Sequence, residues 1–260
     1  MSNTHVGVIK VFAYRPSITK LIALVAMAGM LLMSGCASTE YVANERDPWQ
    51  GFNRAMYGFN DTVDQAVLKP AARGYQAVAP DFVETGVRNF FSNINDVSVA
   101  INNLMQGKVN DAFSDVGRLL VNTTIGVLGL FDVASEMGLQ KHQEDFGQTL
   151  AVWGVDAGPY VVLPFFGPAT LRDSTSVPMD QFAMNPVNHI DMEKSDRMYL
   201  MATDKVSIRA DLLALEESVD EITTDKYSFI REAYLDRRQF LVHDGSPPVE
   251  ESLYEDLEEE

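Results

Sequence analysis

Large apolar side chains recur at helical spacing through most of the chain from residue 47 to residue 242. In the first such segment they follow one another at steps of four, three, four and four, on one face of a helix. They are Phe52, Met56, Phe59, Val63 and Val67. Asp47 before this stripe predicts an N-cap, with Pro48 at the first helical position. Lys69-Pro70 after it predicts the end of the helix.

Further stripes predict a helix over 82–94, a short one over 97–104 opened by Asp96, and a third over 109–131 whose end is interrupted by glycines. A stripe of this kind usually faces a protein core. These segments lack strongly polar faces, however, so contact with lipid at a membrane surface stays open as the alternative. None of them is apolar for the roughly 20 residues that a spanning helix needs.

The last third of the chain is more charged. It predicts two long helices, over 192–222 and 224–242, that form a water-facing hairpin. Residues 244–260 are rich in proline and glutamate and predict a disordered acidic tail. The patterns together predict an all-α fold with a helical body over 47–243.

One stretch, 145–173, departs from the helical pattern. Its apolar centre contains prolines that remove backbone donors from any helix or central strand, and it is too short to span a bilayer. The residues that define this kinked segment are Pro159, Tyr160, Leu163, Pro164, Phe165 and Gly167. Such a segment needs partners around it, either as a buried irregular connector or in contact with lipid.

The N-terminus has the features of a secretory signal over 1–35. Basic residues precede an uninterrupted apolar run over 21–33, which ends in Ser34-Gly35-Cys36. Met33-Ser34-Gly35-Cys36 resembles the lipobox of bacterial lipoproteins, with Met33 where leucine is usual. The resemblance implies that Cys36, the single cysteine, becomes an acylated (palmitate-bearing) N-terminus on a polar tether over 36–46, a durable anchor. An uncleaved inner-membrane anchor is the alternative.

The net charge and the sequence motifs restrict the classes of function. The net charge of −17 argues against nucleic acid and against attraction to anionic headgroups. The sequence lacks a Gly-x-Ser-x-Gly elbow, and His142, His189 and His243 fall in separate segments without metal-ligand spacing. We therefore predict no catalytic residue, no metal site and no cofactor.

Several motifs together resemble the MlaA (VacJ) family of outer-membrane lipoproteins, over about residues 47–242. They are Asp47-Pro48-Trp49-Gln50-Gly51-Phe52-Asn53-Arg54, Met56-Tyr57, Phe59-Asn60, Arg118, Asn122-Thr123, Ile125-Gly126, Phe131-Asp132-Val133-Ala134, Asp145-Phe146-Gly147, Thr149-Leu150, Trp153-Gly154-Val155, Gly158-Pro159-Tyr160, Leu163-Pro164-Phe165, Gly167-Pro168, Leu171-Arg172-Asp173, Tyr227 and Arg231-Glu232-Ala233-Tyr234. Trp49 stands where leucine is expected.

The resemblance implies a ring-shaped bundle of short amphipathic helices embedded in one leaflet of the outer membrane and facing the periplasm, plus the charged C-terminal hairpin. It implies a channel that removes mislocalised phospholipid from the outer leaflet, passes it to a periplasmic lipid-carrier protein, and so maintains lipid asymmetry. Trimeric porins are the implied partners in the membrane.

Polar residues beside the apolar stripes are candidates for the channel lining and for contact with the lipid headgroup. They are Asn53, Arg54, Asn60, Asp156, Arg172 and Asp173. For each, a structural ion pair or cap is the alternative, and for Arg172 with Asp173 an ion pair that holds the end of the kinked segment. Two rival functions remain: a peripheral phospholipid-modifying enzyme, which needs a Ser or Asp beside His142 or His189, and a purely structural lipoprotein.

Overall fold

The structure is a computed structural model that describes residues 45–248 of the 260-residue chain. The predicted signal peptide, Cys36 with most of the tether, and most of the acidic tail lie outside the described residues. Within 45–248, no helix combines the length and the apolar character that crossing a membrane requires.

Helices dominate this part of the chain, so the predicted all-α class is confirmed. They are α1 (Gln50–Val63), α2 (Lys69–Val78), α3 (Asp81–Met105), α4 (Val109–Thr124), α5 (Val133–Glu136), α6 (Phe146–Val152), α7 (Leu171–Pro178), α8 (Lys194–Asp211), α9 (Leu213–Ile222) and α10 (Lys226–Val242). Two π-helical turns, Asp64–Leu68 and Met179–Ala183, and a 3₁₀ turn, Pro186–Asn188, lie between them. Strands β1 (Tyr160–Leu163) and β2 (Gly167–Thr170) pair antiparallel.

The predicted end of the first helix at Lys69-Pro70 is wrong. The π-helical turn Asp64–Leu68 joins α1 to α2 without a break, and its Lys69 N–H donates to the Asp64 carbonyl five residues earlier. Pro70, which has no N–H to donate, then takes a first-turn position of α2, where none is needed. Arg209 of α8 holds this turn, with two hydrogen bonds of 2.7 and 2.8 Å to the Asp64 carboxylate.

The predicted N-cap at Asp47 is also wrong, because Trp49 occupies that position and no side chain caps the helix. Asp47 is buried instead, at 2% exposure. Its carboxylate accepts hydrogen bonds from Arg231 at 2.9 Å, Tyr227 at 2.5 Å and Asn53 at 2.8 Å. Three buried donors satisfy a carboxylate better than one helix N–H does, which explains why Asp47 makes these tertiary contacts instead of capping α1.

The two helices predicted over 82–94 and 97–104 are one helix, α3. Asp96 lies inside it, buried, with an ion pair to Lys141 and with Arg118 Nε 3.7 Å away. The single helix predicted over 192–222 divides at Leu212 into α8 and α9, whereas α10 matches the helix predicted over 224–242.

The kinked segment forms the β1–β2 hairpin, with Tyr160 opposite Thr170 and Leu163 opposite Gly167. One face of β1 is buried, where Tyr160 and Val162 join an apolar cluster with Met56 and Tyr227. The turn is exposed, including Phe165 and Phe166. The expectation of an irregular connector is therefore wrong, because the segment forms a regular hairpin whose strand contacts the protein core. Its turn exposes apolar side chains, for which contact with lipid stays a prediction.

Candidate functional site

Helices α3 and α4 carry apolar side chains outward and polar side chains inward. On α4, Phe113 is 71% and Leu120 is 59% exposed, whereas Asp115 and Arg118 on the opposite face are 0% and 2% exposed. The buried polar set of the two helices comprises Asn93, Asp96, Ser98, Asn102, Asn103, Asp115, Arg118 and Asn122. A helix at the surface of a water-soluble protein shows the reverse pattern. An extended apolar exterior of this kind marks contact with a membrane or a protein.

The apolar exterior continues through the loop after α4. Its exposed side chains are Ile125, Val127, Leu128, Leu130 and Phe131. Val127 and Leu128 adopt φ of +53° and +59°, which is strained for any side chain and most for a β-branched one. The loop closes tightly enough that a Cβ at Gly126 would lie 2.2 Å from the Phe131 carbonyl oxygen. The chain therefore holds these apolar side chains outward against a local backbone cost.

Arg118 organises the polar interior behind this surface. Its guanidinium makes two hydrogen bonds to Asp132, at 2.9 and 3.0 Å, and others to Ser135 Oγ at 2.9 Å and the Leu139 carbonyl at 2.6 Å. Burial raises the pKa of neighbouring Asp96, an effect that Lys141 and Arg118 oppose. Charges inside the body are thus compensated by partners on other segments.

Three cavities of about 480 to 560 Å³ that share wall residues lie in the described body. The first, about 480 Å³, lies mainly between α3 and α8 and has mixed apolar and polar walls. The second, about 560 Å³, is mostly polar and lies among α3, α6, β2, α7 and α10. The third, about 500 Å³, is mostly apolar and lies among α1, the hairpin and α8–α10.

Shared residues show where the cavities adjoin. The first and second share Ser92, Asn95, Ser98, Asp180 and Gln181, and the second and third share Pro168, Tyr234 and Arg237. We call the three together the composite passage. Its polar middle with apolar space on one side suits an amphipathic molecule better than a purely polar or purely apolar one.

Of the predicted lining residues, Asn53 and Asn60 fasten the hairpin to α1. The Asn53 side chain, which has no exposed surface, donates to a β1 carbonyl at 3.0 Å and accepts from a β1 N–H at 2.9 Å. Asn60 does the same at the turn, to the Leu163 carbonyl at 2.9 Å and from the Phe165 N–H at 2.8 Å. Asn60 also lines the third cavity. For Asn53, these contacts agree with the structural alternative.

Arg54 lies away from the composite passage. Its guanidinium binds both carboxylate oxygens of Asp225, at 3.0 and 2.7 Å, and Ser228 Oγ at 3.2 Å. It also stacks 4.3 Å from the centroid of the Tyr227 ring. A phosphate group would have to compete with this ion pair.

Arg172 and Asp173 form the expected ion pair, with Nε 3.0 Å from Oδ1, at the end of the hairpin. Asp173 lines the second cavity, and it also binds Arg238 and accepts from Tyr234 Oη at 2.9 Å. Burial raises the pKa of Asp173, but Arg238 and Arg172 outweigh it and lower that pKa overall. Asp156 is exposed and lies outside the composite passage. The channel-lining role of the six residues stays a prediction.

Asp180 is a feature that sequence reasoning missed, and it lines both the first and the second cavity. Burial, together with Asp145 nearby, raises the pKa of its carboxyl group to about 6, although a hydrogen bond of 3.0 Å from the Phe146 N–H opposes the shift. No local pattern identifies it, because a single aspartate between methionine and glutamine resembles any surface residue.

His142 bears on the enzyme alternative. Its Nδ1 lies 2.8 Å from Asp115 Oδ1, its Nε2 lies 3.8 Å from Asp111, and it lines the second cavity. Asp115 is fully buried and accepts from Asn103 as well, so it can orient the imidazole but cannot reach a substrate. Over 45–248, no hydroxyl or thiol lies in hydrogen-bond contact with His142, and no cluster of His, Cys, Asp and Glu could hold a metal.

Comparison with known proteins shows a match of residues 45–241 to a family model described as MlaA lipoprotein. The chain is 33% identical to the intermembrane phospholipid transport system lipoprotein MlaA of Haemophilus influenzae, covering 90% of this chain and 96% of that one. It is 33% identical to the protein of the same name in Escherichia coli, covering 86% and 90%. An uncharacterized Rickettsia typhi protein is 37% identical over 72% and 74% of the two chains.

The chain is also similar to a solved structure from work on the "structural basis for maintenance of bacterial outer membrane lipid asymmetry". The TM-score is 0.63 at 31% identity, and the match covers 75% of this chain and 98% of the other.

Proposed function

Because the chain belongs to the MlaA lipoprotein family, we propose that it is a non-enzymatic outer-membrane lipoprotein that moves phospholipid out of the outer leaflet. In this proposal the helices form a ring in one leaflet, and the composite passage carries the lipid toward a periplasmic carrier protein.

The observation that carries the proposal is the outward apolar face and inward polar face of α3 and α4. Exposure of Phe113 and Leu120 to water contributes no hydrophobic free energy, whereas contact of these side chains with lipid does. Burying Asp96 and Arg118 is costly unless each is paired, and each is paired. This balance favours a protein surrounded by lipid that keeps a polar interior.

The composite passage supplies the second support. A phospholipid headgroup crosses hydrocarbon at high cost because charge is poorly solvated there. A polar second cavity lowers that cost, and the adjoining apolar third cavity accommodates an acyl chain. Transfer of this kind breaks no covalent bond and needs no cofactor.

Anchoring and partners extend the proposal. Cys36 would hold the protein in the outer membrane through acyl chains, with the charged helices α8–α10 toward the periplasm. A trimeric porin would be its partner in the membrane. Replacing Cys36 with alanine should remove the protein from the outer membrane, and phospholipid should accumulate in the outer leaflet; an unchanged outer leaflet would contradict the proposal.

A narrower experiment separates transport from a purely structural role. Asn95 is exposed on α3 and lines both the first and the second cavity, so Asn95→Trp should obstruct the point where they meet. Thr85→Trp places the same side chain elsewhere on α3, outside the passage. We expect outer-leaflet phospholipid to accumulate with Asn95→Trp at normal protein level but not with Thr85→Trp. Equal amounts of outer-leaflet phospholipid in the two strains would favour a structural lipoprotein.

The contact of His142 with Asp115 makes a phospholipid-modifying enzyme the second candidate. An oriented imidazole is one part of a general-base arrangement, but a nucleophile is the other. Replacing His142 with glutamine should leave lipid asymmetry intact if the protein is a transporter. Loss of asymmetry in a folded variant, together with loss of a modified lipid product, would favour the enzyme.

A further inference from the structure

Ion pairs neutralise nearly every cation that lines the composite passage. In the first cavity Arg88 pairs with Asp211, and Lys205 with Asp204; in the second, Lys141 pairs with Asp96, and Arg238 with Asp145 and Asp173; in the third, Arg209 pairs with Asp64, and Lys226 with Asp220. These contacts leave little positive charge for an anionic group that enters the passage.

Arg237 differs from these residues. Among the described cations that line the passage, its guanidinium is the one with no carboxylate within ion-pair distance. Its Nη2 donates to Gln143 Oε1 at 2.8 Å, a neutral acceptor. Arg237 is also exposed and lines both the second and the third cavity, so it lies where polar and apolar space meet.

The helix that carries Arg237 places it at the end of an apolar stripe. Ile230, Ala233 and Tyr234 precede it at helical spacing, and all three line the third cavity with it. A phospholipid has the same order of groups, with acyl chains joined to a phosphodiester. A guanidinium fits the phosphodiester oxygens by two parallel hydrogen bonds.

We propose that Arg237 binds the phosphodiester of a phospholipid at the junction of the second and third cavities, while an acyl chain lies along the apolar face of α10. The inference rests on the proposed function and names the residue that recognises the substrate there. The charge of the phosphodiester would replace the carboxylate that Arg237 lacks, and the neutral Gln143 would hold the empty guanidinium in place.

The test measures phosphatidylglycerol binding to the purified, acylated full-length protein in detergent, by native mass spectrometry. Arg237→Gln removes the charge, and Arg237→Lys keeps it but loses the planar fork. Arg73→Gln makes the same charge change at an exposed position on α2 outside the passage. Ala233→Trp fills the third cavity without altering charge.

Loss of a charged hydrogen-bond pair should weaken binding about tenfold or more in Arg237→Gln. Arg237→Lys should bind with an affinity between those of Arg237→Gln and the wild type, because it keeps the charge but loses the second parallel hydrogen bond. Arg73→Gln should match the wild type. Normal binding by Arg237→Gln beside weak binding by Ala233→Trp would overturn the inference and leave the passage standing. A wild-type protein that binds no more lipid than Ala233→Trp would overturn the proposed function as well.

Free phosphate is the other source of the same chemistry. Inorganic phosphate should not displace the lipid at concentrations near that of the protein, because the acyl chain contributes much of the binding. Displacement at such concentrations would show an anion site rather than a lipid site, and would overturn the inference.

Discussion

Replacing Phe113 with glutamine tests whether the outward face of α4 contacts lipid. Full burial of a phenylalanine contributes about 1.5–3 kcal/mol. At 71% exposure, Phe113 should therefore contribute about 1–2 kcal/mol of lipid contact. Moving an amide into the interface adds about 0.5–2 kcal/mol. The sum, about 1.5–4 kcal/mol, corresponds to a partition coefficient lower by roughly tenfold or more.

The assay is flotation of the body without residues 1–36 on phospholipid vesicles, so that acyl chains do not dominate binding. Phe240→Gln is the matched control, because Phe240 is 51% exposed but lies on the charged helix α10. We expect partition of the control to stay within about twofold of wild type, and the stability of Phe113→Gln in water to change by no more than about 0.5 kcal/mol. Equal partition of the two variants would refute the lipid-facing assignment. So would a loss of several kcal/mol in water, because that would mean Phe113 is packed.

Three further predictions concern the interior. Arg118→Ala leaves Asp132 without its buried partner and should lower the free energy of unfolding by about 3–5 kcal/mol, measured by denaturant titration. Asn53→Ala removes the bonds that hold β1 and should cost about 2–4 kcal/mol, whereas Asp156→Asn, at an exposed position, should change stability by less than about 0.5 kcal/mol. The raised pKa of Asp180, about 6, means that wild-type stability falls as pH rises from about 4 through 6, since the folded state holds the proton more tightly. Asp180→Asn should lack this dependence, and above pH 6 its free energy of unfolding should exceed that of the wild type by about 1–2 kcal/mol, a figure reduced for partial exposure. If the free energies of unfolding of the two proteins change in parallel with pH, the prediction is contradicted.

Helix content and the apolar faces could be read from the chain because both depend on residues three and four positions apart. The predicted stripe on α4 comprised Val109, Ala112, Phe113, Val116, Leu119 and Leu120. In the structure Val109, Phe113, Val116 and Leu120 are exposed on one face of α4, whereas Ala112 is buried. The same local signals failed where distant residues compete. Asp47 looks like a cap, but its partner Arg231 lies 184 residues away.

Pro70 and Asp96 show the same limit. Proline ends a regular α-helix, but one π-helical turn, held by Arg209 from α8, moves the hydrogen bonds so that the helix continues. Aspartate often precedes the first turn of a helix, but Asp96 lies inside α3, where Lys141 and Arg118 compensate its charge. In each case the deciding group lies on another segment, beyond the reach of local rules.

The sequence by itself determined the helical class, the apolar stripes, the net negative charge and the resemblance to a family. Periodicity cannot tell which side of a helix faces the protein, because a stripe toward a core and a stripe toward lipid have the same spacing. Only the tertiary structure decided that question, by pairing Arg118 with Asp132 inside and leaving Phe113 outside. It also decided which cation keeps a free charge, since the pairing of every other arginine in the described passage depends on carboxylates from other elements.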